Sequence, residues 1–296
     1  MYPTLENIRE IAAKGQYKRV SVCREVYADR YTPVEVMRTL RKASRHCYLL
    51  ESASQTEVWG RYSFLGYEPV MEITCTDGYM KIRHTEVGND EVVTKQVAHP
   101  GDTLREILKE YKSPVMEEMP PFTGGLVGYF SYDYIKYSEP KLKLGEHEDP
   151  DFRDMDLMLF DQVIAFEHYR QKVLLITGVM LDDLEKSYQK AEKKLQEMAD
   201  LIRDGEKEEF PSLKLASEIK PQFPKEKYCG MVEKAKNYIH EGDIFQVVLS
   251  NPMRAKAEGS LFDTYRVLRA TNPSPYMFYF SSDDIELAGA SPETLV

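Results

Sequence analysis

Four short segments concentrate the residue types that can do chemistry. Leu49-Leu50-Glu51-Ser52-Ala53 sets a carboxylate and a hydroxyl side by side at the end of an apolar run. Gly242-Asp243-Ile244-Phe245-Gln246-Val247-Val248-Leu249-Ser250 carries a single amide, Gln246, within an apolar stretch. Asn272-Pro273-Ser274-Pro275-Tyr276-Met277 joins a stiff turn to two large side chains. Gly289-Ala290-Ser291-Pro292-Glu293-Thr294-Leu295-Val296 places Glu293 just after a turn, between apolar flanks. Apolar surroundings perturb the proton affinity of a carboxyl, which makes Glu293 a candidate functional group. Each segment also has a purely structural reading. Buried amides usually satisfy nearby hydrogen bonds, so Gln246 fits an ordinary strand position. Glu51 fits a solvated strand end, Glu293 an exposed turn, and Pro273-Ser274-Pro275 a rigid loop.

The elements that must position these groups are partly legible. Thr32-Pro33-Val34-Glu35 opens a helix, with Thr32 as cap, Pro33 in the first turn and Glu35 closing a capping box. Val36, Leu40 and Ala43 share its inner face. Cys47 to Ala53 reads as a strand. Asp77-Gly78 accepts the positive φ angles of a tight hairpin between Met71–Cys75 and Tyr79–Arg83. Asp102 is expected to cap a helix burying Leu104, Ile107, Leu108 and Tyr111. Strands are expected over Gly124–Phe130, Leu157–Phe166 and Lys172–Val179. Leu184, Tyr188, Ala191, Leu195, Met198 and Ile202 form the apolar stripe of one long helix. Arg203 to Lys225, with three prolines, reads as a linker. A helix with Tyr228, Met231, Val232, Ala235, Tyr238 and Ile239 on one face follows, ending at Gly242 as a left-handed cap. Then come a buried strand at Ile244–Leu249, a short helix at Ser260–Arg269 and a strand at Tyr276–Phe280. Mixed helices and strands of this kind predict an α+β fold with large, mostly antiparallel sheets. The expected division is 1–220 and 221–296. A run ending in Leu295-Val296 and a second domain this small predict an incomplete second domain.

Composition narrows the function classes. The chain has 296 residues and a net charge of −10, so it has no electrostatic reason to bind nucleic acid. Met1 to Gly15 has no basic-then-apolar secretory pattern, and no apolar run spans a bilayer. Cys23, Cys47, Cys75 and Cys229 are scattered without a Cys-x-x-Cys pair, which argues for reduced thiols in a cytoplasmic protein.

Taken in order, the four segments resemble the chorismate-utilising enzymes, specifically anthranilate synthase component I. Arg61-Tyr62-Ser63-Phe64-Leu65-Gly66 and Ala235-Lys236-Asn237-Tyr238-Ile239 extend the resemblance along most of the chain. It implies that family's α/β sandwich, here the N-terminal domain and the start of the chorismate-binding domain. The implied reaction converts chorismate and ammonia to anthranilate and pyruvate in tryptophan biosynthesis, with a glutamine amidotransferase subunit supplying the ammonia. Glu293 matches the family's general acid, which protonates the departing hydroxyl, and apolar neighbours would keep its proton available. Gln246 stands where water-adding relatives carry a lysine base, and ammonia needs no such base. Glu51, Ser52, Pro275, Tyr276 and Met277 match the family's tryptophan feedback site. The resemblance also implies Mg²⁺, with its ligands beyond residue 296 and none within this chain, so that these residues alone are expected to be inactive. The family's Gln-Arg pair after Leu249-Ser250 is replaced by Asn251-Pro252. Two other readings stand beside this one: aminodeoxychorismate synthase of the folate pathway, and a non-catalytic tryptophan-binding module.

Overall fold

The computed structural model describes residues 1–52, 60–85, 91–139, 141–142 and 152–292. The chain opens with α1 (Leu5–Ala13), β1 (Arg19–Tyr27), α2 (Pro33–Ala43), β2 (Cys47–Glu51), β3 (Tyr62–Tyr67), β4 (Met71–Thr76), β5 (Tyr79–His84) and β6 (Val92–Gln96). α3 (Pro100–Glu110), β7 (Gly125–Phe130) and a 3-10 turn (Tyr132–Tyr137) lead to β8 (Met155–Phe160), β9 (Val163–Glu167), β10 (Lys172–Met180) and α4 (Leu184–Asp204). β11 (Lys214–Leu215), β12 (Lys220–Pro221), α5 (Lys225–Glu241), β13 (Met253–Arg254) and β14 (Ala257–Glu258) follow, then α6 (Phe262–Thr271), β15 (Tyr276–Ser281) and β16 (Glu286–Ser291).

The chain forms two compact units, Met1–Glu209 with Tyr265–Val296, and Phe210–Thr264. The first holds a seven-stranded sheet in the order β1-β10-β9-β3-β2-β15-β16 and a five-stranded sheet in the order β6-β5-β4-β8-β7. Every pairing in both sheets is antiparallel, as expected. The second holds α5 and the small ladders β11–β14 and β12–β13. These units depart from the division expected at residue 220, because β15 pairs with β2 and so carries the last strands into the first unit.

Local signals are realised where short-range physics decides. The Thr32 hydroxyl accepts the Glu35 amide at 3.2 Å. The capping box stays half-made: the Glu35 carboxylate turns to Lys207, whose hydrogen bond outweighs desolvation and lowers the Glu35 pKa. Asp77 and Gly78 take φ of 50° and 78°, as a tight hairpin requires. Ala191, Leu195, Met198 and Ile202 are buried along α4.

Other expectations are corrected. Leu157–Phe166 is not one strand but β8 and β9, which lie in different sheets. The break falls at Asp161, which forms an ion pair with Arg19 and accepts the Gly178 amide at 3.3 Å. Asp102 does not cap α3; His99 holds the cap position, and Asp102 pairs with Arg105 at 2.7 Å, while Leu108 is exposed. Ile244–Leu249 is not a strand and pairs with none of the described strands. Phe245 and Val248 are exposed, and of the apolar face expected on α5 only Ala235 is buried.

The core of the first unit is dense. Tyr48 and Phe160 meet edge to face at 4.7 Å, and Gly66, opposite Tyr48 on β3, leaves room for the ring. A Cβ on Gly66 would sit 2.2 Å from the Tyr48 ring. α4 packs on β10 and β1, and α2 on β2 and β3. All four cysteines are free, and no helix of the described residues is long and apolar enough to cross a membrane.

Asp154 locks the β4–β5 turn to the 3-10 turn. Fully buried, it accepts the Asp77 amide at 2.8 Å, the Tyr137 hydroxyl at 2.6 Å and the Lys136 ammonium at 2.9 Å. Burial alone raises a carboxyl pKa, but these donors outweigh it and hold Asp154 below its ordinary value. A depressed carboxyl stabilises the fold fully above its unfolded value, ~3.9, and loses that contribution as pH falls through the folded value. Asp154→Asn is therefore expected to be less stable at neutral pH and to show a flatter loss of stability between roughly pH 5 and pH 2. Urea midpoints against pH check this, and parallel profiles for the two chains would refute it.

Candidate functional site

β2 runs through the middle of the seven-stranded sheet, and its first residues, Cys47, Tyr48 and Leu49, are fully buried. At its end Glu51 is only 8% exposed, so its charge needs partners. They come from α6. Tyr265 and Arg269, four residues apart on one helical face, both reach the carboxylate. The Tyr265 hydroxyl donates to Oε2 at 2.6 Å, Arg269 Nη2 donates to Oε1 at 2.9 Å, and Arg269 Nε lies 2.7 Å from Oε2. Burial, then the Glu51 charge, pushes the Tyr265 phenol far up, so it stays a donor.

Antiparallel pairing places Met277 of β15 directly opposite Glu51, on the same face. Glu51, Ser52, Arg266, Arg269, Ala270 and Met277 line one pocket of about 190 Å³. That is smaller than the roughly 300–1,000 Å³ usual for a drug-sized ligand. A carboxylate offers about four lone-pair sites, and donors among the described residues take three of them. One carboxylate, two guanidiniums and two apolar side chains match the ends and body of a zwitterionic amino acid.

His168 feels the field of Glu51 but does not line the pocket. Burial lowers its pKa more than Glu51 raises it, so the ring is neutral at neutral pH. Its Nε2 lies 2.8 Å from the Ser63 hydroxyl. Glu167 beside it is bound by Arg61 at 2.9 Å.

Of the residues expected at a tryptophan site, Glu51, Ser52 and Met277 come together. Tyr276 does not line the pocket; successive strand residues face opposite ways, and Met277 takes the pocket side. Pro275 lies half-buried just before β15 and does not line it either. Gln246 is exposed in the unpaired segment after α5. Glu293 lies outside the described residues. Sequence reasoning missed Tyr265, Arg266 and Arg269. The i, i+4 spacing of Tyr265 and Arg269 was the available signal, but nothing local says which face of α6 meets β2.

Among the described residues, one group of three metal-ligating side chains converges: His46, Glu72 and Asp283. Mg²⁺ prefers octahedral oxygen ligands, so a site that offers a histidine nitrogen does not fit it.

Comparison with known proteins bears on the family of the chain. The profile of the family described as chorismate binding enzyme matches residues 45–296. Anthranilate synthase component 1 of Acetivibrio thermocellus is 33% identical over 303 residues, covering 100% of this chain and 60% of that protein. The chain thus spans about 60% of the length of this relative. The crystal structure of anthranilate synthase component I from Streptococcus pneumoniae TIGR4 superposes with a TM-score of 0.62 at 34% identity, covering 79% of this chain and 50% of that one. The menaquinone-specific isochorismate synthase of Escherichia coli, at 14% identity and a TM-score of 0.50, covers 98% of this chain and 54% of its own and shares the fold.

Proposed function

Because the chain belongs to the family of chorismate binding enzymes, we propose that it serves anthranilate synthesis and that the Glu51 pocket binds L-tryptophan as a feedback ligand. The observation that carries this is the pocket itself. Its composition suits an amino acid, and it lies in a chain 33% identical to an anthranilate synthase component 1. In this reading the ligand ammonium pairs with the Glu51 carboxylate. Its carboxylate faces the Arg266–Arg269 edge, and its ring lies against Ala270 and Met277.

The wider reaction joins chorismate and ammonia to give anthranilate and pyruvate, with a glutamine amidotransferase subunit as ammonia source. Glu293 is the proposed general acid for the departing hydroxyl, because hydroxide is a poor leaving group. Gln246 is the proposed uncharged neighbour of the amine nucleophile, which brings its own lone pair. Tryptophan inhibits by favouring a state of low chorismate affinity. Mg²⁺ is the cofactor this reading implies, and it would supply positive charge for the substrate; His46, Glu72 and Asp283 are not proposed to hold it. Free thiols at Cys23, Cys47 and Cys75 support a cytoplasmic setting.

Thermal unfolding with and without tryptophan tests the pocket. A ligand that binds only the folded state adds about 2.7 kcal/mol at one hundred times its Kd, so the melting point is expected to rise with tryptophan and not with phenylalanine. A melting point unmoved by saturating tryptophan would remove the feedback reading and leave the family standing. Anthranilate fluorescence with chorismate, ammonium and Mg²⁺ is expected to stay at background with these residues alone, and turnover above background would overturn that expectation.

A further inference from the structure

His46 precedes β2, Glu72 lies on β4, and Asp283 lies in the turn between β15 and β16. They therefore come from both sheets of the first unit. His46 Nε2 lies 3.1 Å from Glu72 Oε1 and 3.5 Å from Asp283 Oδ2. All three ligand atoms fall within 4.8 Å of one another. Nε2 is buried and makes no hydrogen bond. A buried ring nitrogen with no hydrogen bond, aimed at two carboxylate oxygens, is the arrangement that a cation would complete.

We propose that His46, Glu72 and Asp283 form a divalent transition-metal site of the zinc class, tying the seven-stranded sheet to the five-stranded one. Zinc–nitrogen and zinc–oxygen bonds of ~2.0–2.2 Å at tetrahedral angles put neighbouring ligand atoms roughly 3.3–3.5 Å apart. The two separations to His46, 3.1 and 3.5 Å, bracket that edge. Imidazole with carboxylates suits zinc and disfavours calcium and magnesium. Asp283, with 55% of its side chain exposed, leaves the fourth position open to water.

The charge around the site is defined. Arg83 faces it from β5, donating to both Glu72 oxygens at 2.6 Å and to Asp283 Oδ2 at 3.3 Å. Of the neighbouring cations, Arg153 is engaged by Asp284 at 2.6 Å and Arg41 by Glu286 at 3.1 Å. Two carboxylates and one guanidinium leave a net charge of −1, which attracts a dication. When Glu72 Oε1 turns to the metal, Arg83 keeps Oε2, through Nη2 at 2.6 Å and Nε at 3.0 Å. Ligating carboxylates are commonly held by such an outer hydrogen bond.

Zinc chloride titrated into the EDTA-stripped chain against a chromophoric chelator tests this. A Cys229→Ser background removes the exposed thiol as a competing ligand. Saturation at one zinc per chain is expected, with a higher melting point and no matching response to magnesium. His46→Gln and Asp283→Asn are each expected to weaken binding at least about tenfold. Asp283 is in an exposed turn, so its variant decides the matter even where the His46 variant folds poorly. Absence of saturable binding, or Asp283→Asn binding as tightly as the parent, would overturn the site.

Discussion

Glu51→Ala is expected to abolish the tryptophan-dependent rise in melting point and to lower the melting point of the ligand-free chain. The alanine removes the shared acceptor of the Tyr265 hydroxyl and the Arg269 guanidinium. Tyr265 is fully buried and loses its hydrogen bond without gaining water. Breaking a buried ion pair by removing one partner costs ~3–5 kcal/mol. Arg269 is 43% exposed in its side chain and can turn to solvent, which brings the expected cost to about 2–3 kcal/mol. At ~2–4 °C per kcal/mol for a chain of this size, the melting point should fall by roughly 5–10 °C. Glu51→Gln keeps an acceptor for Tyr265 and should lose less. Adding Arg269→Ala to Glu51→Ala should cost little more, because the pair is already broken. If the two costs simply add, the residues do not act as a unit. If ligand-free stability is unchanged, Tyr265 and Arg269 do not depend on Glu51.

Gly128→Ala should be the most damaging small substitution in the first unit. Gly128 lies on β7 opposite Leu157 of β8, with φ of 156°. A Cβ there would lie 2.0 Å from the Asp156 carbonyl oxygen and 2.9 Å from the Leu157 Cα. Both obstacles are backbone, so no side-chain rotation relieves the clash. β8 is the strand between β7 and β4, and all six of its residues are buried, so shifting it disturbs the core beneath. Overpacking costs ~1–3 kcal/mol where side chains can adjust, and a loss of at least ~3 kcal/mol is expected here. Gly230→Ala is the control. It lies inside α5 with nothing within 4 Å of the added methyl, and should stabilise by ~0.5–1 kcal/mol. Chemical denaturation of the two variants checks the pair of opposite signs. A Gly128→Ala chain as stable as its parent would mean that β7 does not pair closely with β8 at this point.

What could be read from the sequence tracks the range of the forces involved. Thr32-Pro33 opened a helix, Asp77-Gly78 made a hairpin and Gly242 took a left-handed cap, because each depends on a few adjacent residues. The stripe from Ala191 to Ile202 predicted the buried face of α4, since helical periodicity is itself local. The family segments were legible as ordered strings, and the α+β class followed from the mixture of elements.

Only tertiary structure decided the rest. The apolar run from Leu157 to Phe166 looks continuous, yet the Arg19–Asp161 pair marks its division between two sheets. Arg19 is 142 residues away in the chain, and periodicity carries no information about it. The run Ile244–Leu249 has strand composition but no strand partner among the described residues; a strand forms only where another offers hydrogen bonds. Glu51 reads locally as a solvated strand end. It is buried because β15 pairs beside it and α6 brings Tyr265 and Arg269, 214 and 218 residues away, to its carboxylate. The sequence by itself determined which residues could do chemistry and which local elements would carry them. The folded chain decided which of those residues share a pocket, because long-range pairing, not local propensity, sets which faces meet.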